Sequence, residues 1–191
     1  LFNRPDAIVA GNPNGDVTIV EFFDYNCGYC RKIVPELSQL IKQGVTEIVL
    51  VPLQLTHAID PDERVLGQAV KLRSIHPDLR IQVSRPIGPE VTLLTVLDQR
   101  LRSSLGAHRV LELDGLVLSS ARTGDVRGNA LLARRARQWS THHRLPCLTA
   151  VADGSGPSVS QAIQGLRAQG RRHIAVGSFF LTATELFHAQ A

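Results

Sequence analysis

Cys27-Gly28-Tyr29-Cys30 is the one complete set of reacting groups in this 191-residue sequence. It follows a β-branched apolar run, Val17 to Phe23, and opens a segment patterned as a helix, Cys30 to Ile41. A thiol at a helix start meets the positive end of the helix dipole and unbonded backbone N–H groups. Both stabilise the thiolate and lower its pKa below the ~8.5 of free cysteine. Cys27 is the expected nucleophile, and Cys30, one turn further in, resolves the mixed disulfide. Glu21, six positions before Cys27 on the strand, is placed to take or relay the proton that Cys30 loses. This chemistry requires no cofactor, and its partners are protein thiols and disulfides. The same spacing suits a zinc half-site or a structural thiol pair, with only Cys147 and dispersed histidines as further metal ligands.

A second candidate follows the apolar run Glu47 to Val51. His57 and Asp60 can share a metal ion if their loop curls; otherwise they are polar residues of an ordinary loop. His142-His143, near the end of a predicted helix, is explained by placing positive charge on the helix's negative pole. His76, His108, His173 and His188 have no spaced partners and are read as surface residues. Asp153-Gly154-Ser155-Gly156-Pro157 lacks the lysine of a phosphate-binding loop and reads as a turn leading to an N-cap at Ser158.

The elements that must position these groups alternate along the chain. Strand-like runs at 17–23, 47–51, 80–84, 116–119, 147–152 and 173–180 are interleaved with amphipathic runs at 30–41, 63–75, 90–105, 126–142 and 158–169. Alternation of this kind implies parallel strands with right-handed helical crossovers, hence a three-layer α/β sandwich around a mostly parallel, doubly wound sheet. Leu93, Val96, Leu97 and Leu101 recur at helical spacing, as do Val159, Ala162, Ile163 and Leu166, so each helix buries one stripe. Ligands then belong in the loops at the carboxyl ends of the strands, after residues 23, 52, 85, 119, 153 and 180.

Composition divides the chain into residues 1–43, with five of the nine aromatics, and residues 44–191, with 16 of the 18 arginines. No flexible linker separates them, and the two are expected to pack as one domain. The net charge is +4, but the arginines are scattered, so no nucleic-acid partner is expected. The densest cluster, Arg134-Arg135-Ala136-Arg137 beside Trp139, reads as a solvated helix face. No apolar run reaches the 18 residues of a membrane span. Oligomeric state is not legible.

Around the cysteines, Gly11 to Lys32 resembles the DsbA-like bacterial thiol-disulfide oxidoreductases of the thioredoxin superfamily. The resemblance implies a thioredoxin-like βα unit, Cys27 attacking, Cys30 resolving, Glu21 as buried acid, and an exported location. From Gly44 onward the chain resembles the sirohydrochlorin chelatases, which insert cobalt or iron into a tetrapyrrole. The residues that carry this are Thr46 to Leu53, Leu79 to Pro89, Pro157 to Ile163 and Gly170 to Leu181. This second resemblance implies a flavodoxin-like sheet, a tetrapyrrole partner, Co²⁺ or Fe²⁺, and a cytoplasmic location. It also implies a metal-binding histidine shortly after the strand ending in Val51-Pro52-Leu53, where Asp60 aligns and His57 stands three residues earlier. Its other histidine belongs at the end of the first strand, where this chain carries the Cys27 segment. The first βα unit takes the place of the chelatase's own if the Val17 strand pairs with the strand at Ile48; a fusion of two non-cooperating parts leaves them unpaired.

Overall fold

The computed structural model describes residues 21–23, 47–121, 124–181 and 185–188. Contacts divide these into two units, one within residues 1–54 and 59–87, the other within residues 55–58 and 88–191. In the first unit β1 (Glu21–Phe23), β2 (Glu47–Pro52) and β3 (Arg80–Val83) form a parallel sheet in chain order. Glu21 lies opposite Leu50 and Phe23 opposite Pro52, so the strand before the cysteines is laddered to the strand at Ile48.

Helix α1 (Glu63–Ile75) crosses from β2 to β3. Asp62 starts it by accepting a hydrogen bond from the Arg64 backbone at 2.8 Å, which satisfies one of the donors a helix leaves open at its first turn. Val65 and Ala69 are its buried residues, and Ala69 packs with Leu50, Leu79 and Ile81.

In the second unit β4 (Gly115–Ser120) lies between β5 (Cys147–Val151) and β6 (Ile174–Phe179), all parallel. All six residues of β4 are buried, as expected of a parallel strand covered on both faces. Its alternate side chains serve opposite layers. Leu116 and Leu118 meet Leu132, Ala136 and Trp139 of α3 (Val126–His143), with Leu93, Leu97 and Leu101 of α2 (Thr92–Ala107) packed alongside. Val117 meets Val159, Ala162 and Leu166 of α4 (Val159–Ala168) on the other side. Ser158 starts α4 with a capping box, its hydroxyl accepting from the Gln161 backbone at 3.1 Å. The turn-and-cap reading of the preceding glycine-rich stretch therefore holds. A last short helix, α5, spans Glu185–His188.

Trp139 ties the α2–α3 layer together. Only 1% exposed, it donates from Nε1 to Asp98 Oδ1 of α2 at 2.7 Å. Its ring lies flat enough on β6 that a β-carbon at Gly177 would stand 2.6 Å from Cη2, so that position requires glycine.

The expected α/β class and parallel strands are present; among the described residues the six strands form two ladders of three, one in each unit. In β3 Arg80 and Gln82 are exposed while Ile81 is buried, and Gln82 is bonded to Glu47 of β2 at 2.7 Å. Such a half-polar strand suits a sheet edge, not a centre covered on both faces. No described helix is long and apolar enough to cross a membrane.

Candidate functional site

Ligands of parallel sheets gather at the carboxyl ends of the strands, where successive connections diverge to either side. In the second unit that divergence falls at β4, since β5 adds on one side and β6 on the other. The loop that follows β4 receives the segment Leu55–Ala58, which sequence places after β2. The Ala58 backbone N–H donates to Asp125 Oδ2 at 3.1 Å, and Asp125 Oδ1 accepts from the Gly128 backbone to cap α3. One carboxylate thus starts the helix and anchors the segment.

The fit depends on two missing side chains. At Gly124 and Gly128 a β-carbon would run into the Thr56 carbonyl. On another side of the segment Gly88, at φ 70°, lies against the His57 carbonyl, which a β-carbon there would meet at 3.1 Å. His57 is therefore held by its backbone neighbours. Its ring Nδ1 is buried and without a hydrogen-bond partner among the described residues, and so is Ser120 Oγ at the end of β4. Each such atom costs about 1–3 kcal/mol if left unbonded. Both lie towards the carboxyl side of one sheet, where a water or a ligand's polar group can satisfy them.

A cavity of about 970 Å³ reaches the same side. It is lined by Leu55, by the α2 face around Val96 and Leu97, and by the β6 residues through Phe180 and Leu181. Its volume is near the top of the ~300–1,000 Å³ typical of small-molecule sites. The lining is mainly apolar, with Arg100, Arg172, His108 and His173 supplying positive or polar groups and Glu112 one carboxylate. Phe180 and Phe187 meet edge to face at 5.7 Å in its wall. An extended, largely apolar molecule carrying carboxylates suits such a lining.

The residues expected to act do not all gather here. Cys27 and Cys30 lie outside the described residues, as does the side chain of Glu21, whose backbone stands in β1 opposite Leu50. His57 belongs to the second unit, whereas Asp60 is exposed and belongs to the first. The third cysteine, Cys147, begins β5. Burial pushes its thiol up to about 12, against a smaller opposing effect of a backbone hydrogen bond at Leu118. Because the thiolate is the reactive form, iodoacetamide at pH 8 should leave Cys147 unmodified in the folded protein and label it after denaturation. Peptide mass mapping checks this, and ready labelling in the folded state contradicts the burial argument.

Asp125, Ser120 and the paired glycines were not expected from the sequence. Asp125 before Val126 does carry an N-cap signal. Its second role, holding a segment 67 positions away, has no local signature.

With the geometry in place, the class is a parallel α/β protein. Among known families, the model described as CbiX matches residues 25–104, so this segment is chelatase-like. The match takes in the Cys-x-x-Cys itself along with β2, α1, His57, β3 and most of α2. No curated protein and no solved structure matches the chain significantly.

Proposed function

We propose that the protein inserts a divalent metal, Co²⁺ or Fe²⁺, into a tetrapyrrole of the sirohydrochlorin class. The observation that carries this reading is the buried Nδ1 of His57, which has no hydrogen-bond partner among the described residues and lies inside the CbiX match, five residues after β2 ends. Metal insertion brings a dication into the macrocycle and releases two pyrrole N–H protons, so it needs a donor to hold the ion and a base to collect protons. An imidazole whose ring nitrogen is unbonded among the described residues can serve either role. The cavity beside Leu55 is of a size for a macrocycle, and Arg100 and Arg172 give its carboxylates counter-charges. Metal and tetrapyrrole are both substrates here. A cytoplasmic setting goes with this reading.

Thiol-disulfide exchange at Cys27 and Cys30 gains no support from the described residues, and both cysteines fall within the chelatase-like match. Following sirohydrochlorin absorbance with Co²⁺ tests the proposal. The protein should accelerate metallation over the spontaneous rate, and His57→Ala should remove about 100-fold or more of that acceleration, the lower end of what a positioned base contributes. Metallation no faster than without protein overturns the reading. Insulin reduction abolished by Cys27→Ser on the same sample would return the function to the cysteines.

A further inference from the structure

A second group of donors lies at the opposite end of α3. Asp98 of α2 is 8% exposed, and its Oδ1 accepts from Trp139 Nε1 and from His143 Nε2, both at 2.7 Å. His142 Nε2 lies 3.0 Å from Oδ2. One ligand atom from each of Asp98, His142 and His143 falls within 4.8 Å of the others. Adjacent histidines on a helix normally diverge by about 100°. Here both rings turn their Nε2 atoms onto one carboxylate, with their planes at 86° and their centroids 4.9 Å apart.

We infer that Asp98, His142 and His143 form a binding site for a divalent transition metal of zinc-like character, separate from the site around His57. The donor set, two imidazoles and a carboxylate, is one that zinc, cobalt and nickel take and that calcium and magnesium do not favour. An ion at metal–ligand distances of about 2.0–2.2 Å needs donors about 3.3–3.6 Å apart when tetrahedral, so the 2.7 and 3.0 Å contacts, made to the two different carboxylate oxygens, open by roughly 0.3–0.9 Å, and the widest donor spacing, within 4.8 Å, closes by up to about 1.5 Å through rotation of the exposed His142 ring. At each Nε2 the ion replaces a hydrogen-bonded proton. That proton leaves to solvent from an imidazolium or reappears on Nδ1 of a neutral ring.

The carboxylate is already oriented. Trp139 Nε1–H fixes Oδ1, the kind of outer partner that aligns metal-binding groups. His142 is 59% exposed on its side chain and His143 19%, so an ion can enter from solvent and keep a water as its fourth ligand. Arg102, whose guanidinium stands 3.8 Å from Asp98 Oδ2, opposes the ion, but its side chain is 73% exposed and free to turn outward. From Val126 to His143 the helix rises about 25 Å at 1.5 Å per residue, which separates this cluster from the segment docked at the helix start.

Trp139 is the sole tryptophan of the sequence and touches the cluster, so its fluorescence reports binding directly. The full chain, stripped with a chelator, is titrated with Co²⁺ and then with Zn²⁺ in competition, alongside His57→Ala, His142→Ala and His143→Gln. Co²⁺ should quench Trp139 at well below millimolar concentration, equally in the parent and in His57→Ala, and Zn²⁺ should reverse the quenching. His142→Ala should weaken binding tenfold or more, and so should His143→Gln, which keeps a donor for Asp98 and hence the fold, as circular dichroism verifies. Quenching that is absent, or that survives both histidine changes, overturns the site. Quenching lost in His57→Ala but kept in His142→Ala also overturns it, by assigning the ion to His57.

Discussion

Trp139→Ala is expected to cost about 3–5 kcal/mol of stability, the range for deleting a large buried aromatic side chain. The ring is almost wholly enclosed, rests on Gly177 and packs in the same cluster as Leu116, Leu118 and Leu132. Its loss also takes one donor from a buried carboxylate. Against a total stability of about 5–15 kcal/mol, such a change leaves a protein close to its unfolding threshold. Trp139→Phe separates the two contributions, since it retains most of the ring and removes only the N–H; about 1–3 kcal/mol is expected from that alone. Urea unfolding followed by circular dichroism measures both. Equal costs for the two variants would mean that packing on Gly177 contributes little.

The Asp98 network also gives the fold a pH dependence. Burial raises the Asp98 carboxyl, but hydrogen bonds from His143 and Trp139, with the charges of His143 and His142, outweigh it and hold the group below its ordinary 3.8. A carboxyl with a lower pKa folded than unfolded stabilises the protein above the unfolded value. That stabilisation is lost as the pH falls through the folded value. In Trp139→Phe the acid transition should therefore begin at higher pH than in the parent.

The second large effect is expected at Gly128. A β-carbon there meets the Thr56 carbonyl, part of the backbone and unable to swing aside, so Gly128→Val must push the Leu55–Ala58 segment off the start of α3. The bond from Ala58 to Asp125 is then lost, and overpacking of this kind costs about 1–3 kcal/mol. The larger consequence is for His57. Displacing a reacting group by about 1 Å can cost on the order of 100-fold in rate, so metallation should fall by that factor while most of the fold survives. Gly67→Ala is the contrasting change. Gly67 is inside α1 with open space around its β-carbon position, and the substitution should stabilise the protein by roughly 0.5–1 kcal/mol. Thermal unfolding and initial metallation rates of both variants check the pair; a Gly128→Val protein metallating at the parental rate removes the segment from the site.

What the sequence revealed was whatever depended on near neighbours. Asp62-Glu63 marks the start of α1, Leu116-Val117-Leu118 reads as a strand buried on both faces, and the stripe Val159, Ala162, Leu166 faces the core. What it concealed depended on distant ones. His142 and His143 read as a cationic helix end because the carboxylate that draws both rings together is 45 residues from His143, on another helix. Asp98, flanked by Leu97 and Gln99, resembles any exposed helical acid. Trp139, beside a run of arginines, gave no hint of its burial. The loop after β2 was expected to carry chemistry, but nothing in Leu55-Thr56-His57-Ala58 indicates that it would leave its own unit, because the glycines that receive it lie near residue 126. The Cys-x-x-Cys was the most legible motif of all, being defined by spacing alone.

That borrowed segment also constrains the order of events during synthesis. Ala58 leaves the ribosome 67 residues before Asp125, its partner. At about 5–20 residues per second, roughly 3–13 seconds pass before the receiving helix even begins to emerge. Until then His57 and its neighbours have no place to dock, although every described strand of the first unit, through Val83, has already been made.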